Sequence, residues 1–257
     1  MNPLADRLAF ATDLTRSAGA MALRLRPPPG AAQAVLKGRQ DWLTQADEAV
    51  EQYISERLQA RFPEDGFQGE EAGRTRAGRL RWVVDPIDGT SNFARGGTRW
   101  CVSVALMEQD VALLGVLSAP ARQELYAAGH GTGATLNGAP IQAAVTTDMN
   151  RAMVEAGWSP RVDSAAYLAL CGRIIGAGAA LRSGGSGALG LVEVAVGRLD
   201  GYVELHINVW DCAGALAVLA EAGAVTNAYR VAGGPILAAA PGIGPALAGL
   251  AGLLLKA

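Results

Sequence analysis

The chain of 257 residues carries 22 Lys and Arg against 24 Asp and Glu, a formal net charge of −2, so it lacks the basic field that neutralises a nucleic-acid backbone and no nucleic-acid partner is expected. Half of its residues are apolar and 18% are charged, which excludes the composition of a disordered chain and suffices for one large domain or two ordinary ones. Three widely separated cysteines, Cys101, Cys171 and Cys212, fit neither a disulfide framework nor a zinc ribbon, and a reducing cytoplasmic location is expected.

Asp6 and Arg7 fall within the first ten residues, and no short apolar run accompanies them. A secretory signal is therefore not expected, and the mature chain is read as starting here. Residues 3–25 read as a helix. Asn2 can cap it, Pro3 suits its first turn, and Leu4, Leu8, Ala11, Leu14, Ala18, Met21 and Leu25 recur at three-to-four spacing up to the prolines Pro27 to Pro29 and Gly30. A short apolar piece around Val35 and Leu36 precedes a second helix over 45–62, with Val50, Ile54 and Leu58 on one face and Pro63 as its stop. Trp82, Val83 and Val84 read as a strand ending at Asp85, and further strands are expected over 101–107, 111–117 and 124–128. The Gly-rich stretch 129–138, closed by Asn137-Gly138, reads as a turn and as the best internal boundary. Beyond it, strands over 152–156 and 199–204 alternate with helices over 165–175, 188–196 and 212–222, which predicts sheet packed between helices. Residues 236–255 contain no charge over a membrane-spanning length. Pro241 and Pro245 divide that stretch into a buried strand and a terminal helix, so no membrane segment is expected.

The segment most suggestive of chemistry is Asp85-Pro86-Ile87-Asp88-Gly89-Thr90, placed where an apolar strand runs into a turn. Two carboxylates three residues apart on a stiffened turn can converge on one point, which suits a hard cation such as Mg²⁺. A Pro-Asp-Gly turn whose aspartates simply cap backbone amides fits the same letters. Upstream, Gly69-Glu70-Glu71 reads as a polar loop; far downstream, Trp210-Asp211 opens a helix, where Asp211 also fits an N-cap. Thr44-Gln45-Ala46-Asp47 matches a capping box, which leaves Asp47 open to a structural reading. The two histidines, His130 and His206, have no nucleophile elbow or Cys-His arrangement beside them. Gly131-Thr132-Gly133-Ala134 leads to a hairpin instead of opening a βαβ unit, so it is not read as a dinucleotide site.

Taken together, Gly69-Glu70-Glu71, the run from Trp82 through Asp85-Pro86-Ile87-Asp88-Gly89-Thr90 to Ser91-Asn92-Phe93, and Trp210-Asp211-Cys212-Ala213-Gly214 resemble the inositol monophosphatase family of Mg²⁺-dependent, lithium-sensitive phosphatases. Order and spacing match from about Gln40 to Ala240. The resemblance implies a mixed α and β fold, the layered αβαβα sandwich of the sugar phosphatase superfamily. Within one compact unit, an N-terminal α+β half over 1–138 would carry most ligands and a C-terminal α/β half over 139–257 would carry Asp211 and the substrate pocket.

The same resemblance implies two to three Mg²⁺ ions. Glu70, Asp85 and the Ile87 carbonyl would hold one; Asp85, Asp88 and Asp211 would hold a second; a third would also lean on Glu70. Thr90 with Asp47 would position the attacking water, giving Asp47 a double role, and the amides of Gly89 and Thr90 would face phosphate oxygens. Glu204, seven residues before Asp211, and the Gly185-Ser186-Gly187 loop would line a polyol pocket. Ser91-Asn92-Phe93 resembles the inositol phosphatase branch more than the bisphosphate nucleotidase branch. Asn208 departs from a position often His in relatives, and Lys37 falls near a lysine of the family's metal loop. The expected reaction is hydrolysis of a small phosphate monoester, with inositol 1-phosphate as leading substrate and a homodimer as the assembly. Histidinol phosphate, a sugar bisphosphate and 3′-phosphoadenosine 5′-phosphate are the rival substrates. A non-catalytic phosphate-binding regulatory protein is the rival class.

Overall fold

The computed structural model describes residues 3–27, 35–38, 41–229 and 232–256, with 35–38 and 41–43 described by backbone alone. The first helix, α1 (Pro3–Leu25), buries Ala11, Leu14, Ala18 and Ala22 along one stripe. Its expected cap Asn2 and its expected stop at Pro28 to Gly30 lie outside the described residues. Strands β1 (Val35–Gly38) and β2 (Asp41–Leu43) pair with each other; Lys37 belongs to β1, and its side chain lies outside the description. Helix α2 (Gln45–Arg61) starts at the Thr44 cap and buries Val50, Ile54 and Leu58, one turn apart.

The chain then lays down β3 (Gly66–Gly69), β4 (Arg74–Arg76), β5 (Leu80–Asp88), the short helix α3 (Thr90–Ala94), β6 (Cys101–Glu108), β7 (Val111–Ala119), β8 (Glu124–Gly129), β9 (Ala134–Leu136) and β10 (Ala139–Pro140). These strands form an eight-stranded sheet in the order β10-β9-β8-β7-β6-β5-β3-β4, in which β3 and β5 run parallel and all other neighbours antiparallel. After it come β11 (Met153–Gly157), α4 (Ser164–Gly176), β12 (Ala180–Arg182), α5 (Gly187–Ala195), β13 (Gly201–Ile207), α6 (Val209–Glu221), β14 (Val225–Thr226), β15 (Gly234–Ala239) and α7 (Gly244–Ala251). The second sheet has the order β12-β11-β13-β15-β14, parallel across β12, β11 and β13 and antiparallel beyond.

Strand alternation distributes side chains between layers. On β7, Leu114 and Val116 pack under α1 and α2, whereas Leu117 and Ala119 join α5 and α6. On β15, Ile236 and Ala238 face α5 and α6, and Leu237 and Ala239 face α4 and α7. The layers therefore run α1 and α2, first sheet, α5 and α6, second sheet, α4 and α7, which is the αβαβα sandwich. Because the central helices are covered on both sides, α5 buries every residue from Ala188 to Ala195.

Three local expectations change. The strand through Trp82 does not end at Asp85 but continues to Asp88, because a bulge absorbs Pro86 within the ladder instead of breaking it. The polar loop at Glu70 is flanked by two short strands, β3 and β4, whose few residues carry too little periodicity to be read from sequence. The Gly-rich stretch lies inside the first sheet, where it connects β8 to β9 and β9 to β10. Residues 236–255 divide as expected into β15 and α7, and among the described residues no helix is long and apolar enough to cross a membrane.

Candidate active site

Five backbone features bring distant carboxylates and hydroxyls to one place. First, β3 and β5 are parallel with Gly69 opposite Val84, and the Glu70 amide donates to the Val84 carbonyl at 3.2 Å, which sets Glu70 beside Asp85. Second, Asp85 pairs with Ser103 and Asp88 with Cys101, so three steps on β5 match two on β6. In a regular strand, residues three apart face opposite ways; the extra residue of the bulge returns Asp88 to the side of Asp85. Third, Asp211 is the N3 residue of α6, not its cap, and accepts the Asn208 amide at 3.0 Å in a capping box. The helix N-terminus favours its negative charge.

Fourth, Asp47 is the N3 residue of α2. One oxygen accepts the Thr44 amide at 2.8 Å and the Thr44 hydroxyl at 2.5 Å, and the other lies 3.5 Å from the Thr90 hydroxyl. The capping box is thus present, and it leaves an oxygen for the site. Thr90 also donates to the Ile87 carbonyl at 2.9 Å. Fifth, Gly89 has φ of 87°, and a Cβ there would come within 2.8 Å of the Arg99 carbonyl. Only glycine turns the chain at this point without strain.

The result is a group of three acids. One carboxylate oxygen from each of Glu70, Asp85 and Asp211 lies within 4.8 Å of the others. Asp85 is buried, and among the described residues its Oδ2 has no hydrogen-bond partner. Burial, reinforced by Glu70, Asp88 and Asp211, pushes the Asp85 carboxyl well above the usual range. Burial likewise raises Asp211 to about 6 and Asp47 to about 6. Such a set, with an acceptor facing nothing that donates, fits a hard divalent cation bound by oxygen ligands.

Asp88 stands slightly apart from that group. It accepts the Ser186 hydroxyl and the amides of Gly187 and Ala188, both at 3.1 Å, at the start of α5. Burial, with a second push from Asp211, raises it to about 7. Ser186 is accordingly engaged twice, donating to Asp88 and capping α5 through Leu189 at 3.3 Å.

Beside the acids opens a cleft of about 300 Å³, at the C-terminal ends of the parallel strands β12, β11 and β13, where open α/β sheets place ligands. Glu70, Asp88, Gly89, Thr90, Gly185, Ser186, Glu204 and Asp211 all line it. Asp47, Asp85 and Ile87 sit behind its wall, buried. Glu204 and Tyr202 share one face of β13; the Tyr202 hydroxyl donates to Glu204 Oε2 at 2.5 Å, and burial pushes Glu204 up to about 8. A Cβ at Gly157 would meet the Tyr202 hydroxyl at 2.2 Å and Glu204 Oε2 at 2.3 Å, so this glycine makes room for both.

The inositol monophosphatase family model matches residues 4–254, nearly the whole chain. The chain belongs to the inositol monophosphatase family. Among curated relatives, a protein named Nus factor SuhB from Xylella fastidiosa is 38% identical over 222 residues, covering 86% of this chain and 81% of the relative. An inositol-1-monophosphatase from Synechocystis is 37% identical over 231 residues, covering 86% and 78%. Among solved structures, an inositol monophosphatase from Anabaena superposes with a TM-score of 0.85 at 29% identity, covering 96% of this chain and 95% of the other.

Inositol monophosphatase motifs led sequence reasoning to the acids and glycines but not to the other walls of the cleft. Trp158, Ser159, Pro160 and Arg161 follow β11 and line it, as do Glu155, Tyr202 and His206. A Gly followed by Trp-Ser-Pro-Arg after an apolar strand was the available signal, since ligand loops follow parallel strands; it needed knowledge that β11 is parallel to its neighbours.

Proposed function

We propose that the chain hydrolyses a small phosphate monoester to an alcohol and orthophosphate, with inositol 1-phosphate as leading substrate and Mg²⁺ as cofactor. The observation that carries this reading is the meeting of the Glu70, Asp85 and Asp211 carboxylates, one oxygen from each within 4.8 Å of the others, at the wall of the cleft. Glu70, Asp85 with the Ile87 carbonyl, Asp88 and Asp211 would hold two to three ions. When bound, such ions offset phosphate charge and lower the pKa of nearby water. Asp47, raised to about 6, is poised to take a proton near neutral pH. The Thr90 hydroxyl, oriented by the Ile87 carbonyl, aligns the attacking water toward Asp47. The amides of Gly89 and Thr90 receive phosphate oxygens, and Glu204 with the Gly185-Ser186 loop receives the alcohol's hydroxyls. The enzyme works as a homodimer in this reading.

Histidinol phosphate, a sugar bisphosphate and 3′-phosphoadenosine 5′-phosphate compete as substrates, so the test is a phosphate-release panel over all four with Mg²⁺ and with chelator. Turnover of inositol 1-phosphate above the others, abolished by chelator, is expected. Full turnover after exhaustive metal removal would reject the mechanism. The relative named Nus factor SuhB keeps a second reading open, a regulatory protein that binds phosphate without turning it over; absence of turnover on the whole panel would favour it. The retained Asp47 and Thr90 favour turnover, because binding alone needs no water-orienting pair.

A further inference from the structure

A chain of buried and half-buried charges runs from the end of β7 to the loop that enters α5 beside the cleft. Arg122 Nη1 donates to Glu193 Oε1 at 2.7 Å, Arg99 Nη1 donates to Glu193 Oε2 at 2.6 Å, and Arg99 Nη2 donates to Glu155 Oε2. The last oxygen, Glu155 Oε1, accepts the Gly184 amide at 3.1 Å. Charges alternate, and every carboxylate oxygen in the chain is used. The Glu155 and Glu193 side chains are 3% and 9% exposed, and that of Arg99 is 24%. Arg122 continues the chain away from the cleft, pairing with Glu124 at 3.1 Å, which accepts from Arg198 at 2.7 Å; toward the cleft the chain ends on a backbone amide of the loop entering α5.

The main chain of Arg99 reaches the same loop by a second route. Asn92 Nδ2 donates to the Arg99 carbonyl at 2.9 Å and to the Gly184 and Gly185 carbonyls at 2.9 and 3.2 Å. A Cβ at Gly184 would lie 2.1 Å from Arg99 Nε, and a Cβ at Gly89 would lie 2.8 Å from the Arg99 carbonyl. Arg99 is therefore wedged between Gly89, on the side of the acids, and Gly184 to Ser186, on the opposite wall.

We infer that Arg99 and Glu155 are positioning residues that set the width of the cleft by fixing the Gly184 to Ser186 loop against Gly89. A buried ion chain is costly to desolvate and is weak evidence for stability as such, whereas its geometry is specific. Arg99 is suited to it because its planar fork serves two carboxylates at once, which a lysine ammonium on a flexible stem does not hold in one geometry. Glu193 lies one link further away, its two oxygens accepting from Arg99 and Arg122 and not from an amide of the loop. It separates a positioning role from a general contribution to folding.

This inference rests on the phosphatase reading only for its kinetic arm. The experiment compares Arg99→Lys, Glu155→Gln and Glu193→Gln with the wild type in three measurements: amide hydrogen exchange over 183–187, KM and kcat for inositol 1-phosphate, and the Mg²⁺ midpoint of thermal stabilisation. For Arg99→Lys and Glu155→Gln, exchange in the loop is expected to speed up about tenfold. KM should rise roughly tenfold while kcat stays within about threefold, as for lost ground-state positioning. The Mg²⁺ midpoint should move less than it does for Asp211→Asn, because this chain of hydrogen bonds bypasses Glu70, Asp85 and Asp211 and reaches Asp88 only through Ser186 at the far end of the loop. Glu193→Gln should melt lower with little change in loop exchange. Unchanged loop exchange in both Arg99→Lys and Glu155→Gln overturns the inference, as does equal acceleration by Glu193→Gln. If Arg99→Lys fails to fold, Glu155→Gln, whose single amide oxygen can accept from Arg99 or from Gly184 but not from both, decides the same question by itself. If the wild type releases phosphate from no ester, the phosphatase reading fails, and loop exchange still decides the clamp.

Discussion

Asp47 shows how one side chain answers two demands. Its Oδ2 closes the capping box of α2, while its Oδ1 lies 3.5 Å from Thr90. Asn is nearly isosteric and keeps an oxygen for the Thr44 amide at this N3 position, so Asp47→Asn should change stability by about 1 kcal/mol or less. Loss of its proton-accepting oxygen should lower kcat by roughly 10² to 10⁴. Steady-state kinetics beside a denaturant titration check both, and an unchanged kcat would return Asp47 to a purely structural role. Asp211→Asn should instead weaken Mg²⁺ binding and depress turnover of every ester. Glu204→Gln should spare Mg²⁺ affinity and p-nitrophenyl phosphate while costing about 1–3 kcal/mol in kcat/KM on inositol 1-phosphate, the scale of an unpaired polar group. Equal losses on the two esters would exclude recognition by Glu204.

At the scale of elements, the position of Asp211 depends on how closely α6 approaches the first sheet. Gly115 on β7 and Gly214 on α6 meet there: a Cβ on Gly115 would lie 2.0 Å from the Gly214 carbonyl, and one on Gly214 would lie 2.6 Å from Ser103 Oγ. Both contacts are far inside van der Waals distance, so a single methyl must push helix and sheet apart. Gly115→Ala is expected to destabilise by about 1–3 kcal/mol, the cost of overpacking, and to weaken Mg²⁺-induced stabilisation because Asp211 moves with its helix. A denaturant midpoint and a Mg²⁺ thermal-shift titration measure the two effects. Wild-type values in both would show that the layer yields without cost.

The whole molecule concentrates raised carboxylates where its layers meet. Asp47 and Asp211 are pushed to about 6, Asp88 to about 7 and Glu204 to about 8, each chiefly by burial, against roughly 4 in the unfolded chain. Between those values the folded state binds more protons than the unfolded state, so stability is full below about pH 4 and falls as pH rises through each folded pKa. Each unit corresponds to about 1.4 kcal/mol, and each kcal/mol to roughly 2–4 °C at this chain length. The metal-free protein should therefore lose about 5 °C or more in Tm between pH 5 and pH 8. Mg²⁺ should raise Tm more at pH 8 than at pH 5, since ionised ligands bind it and protonated ones do not. Melting curves at both pH values, with and without the ion, decide this; a metal-free Tm that rises with pH would contradict it.

Local chemistry was legible from sequence alone wherever a short-range rule governs it. The stripes of α1 and α2, the Thr44 box and the residue types of Asp85 to Thr90 all depend on neighbours within a few positions. Three separated motifs in register were enough to mark the family and its five layers. Tertiary structure alone decided the rest, because those features depend on pairing across long separations. The bulge that turns Asp88 to the side of Asp85 exists only against β6. The placement of Glu70 beside Asp85 exists only through the parallel register of β3 and β5. The chain from Arg122 to Gly184 joins residues up to 94 positions apart, each of which reads in the sequence as an ordinary surface charge or glycine. Burial between layers turns those charges into partners that must find one another, and no local pattern records that.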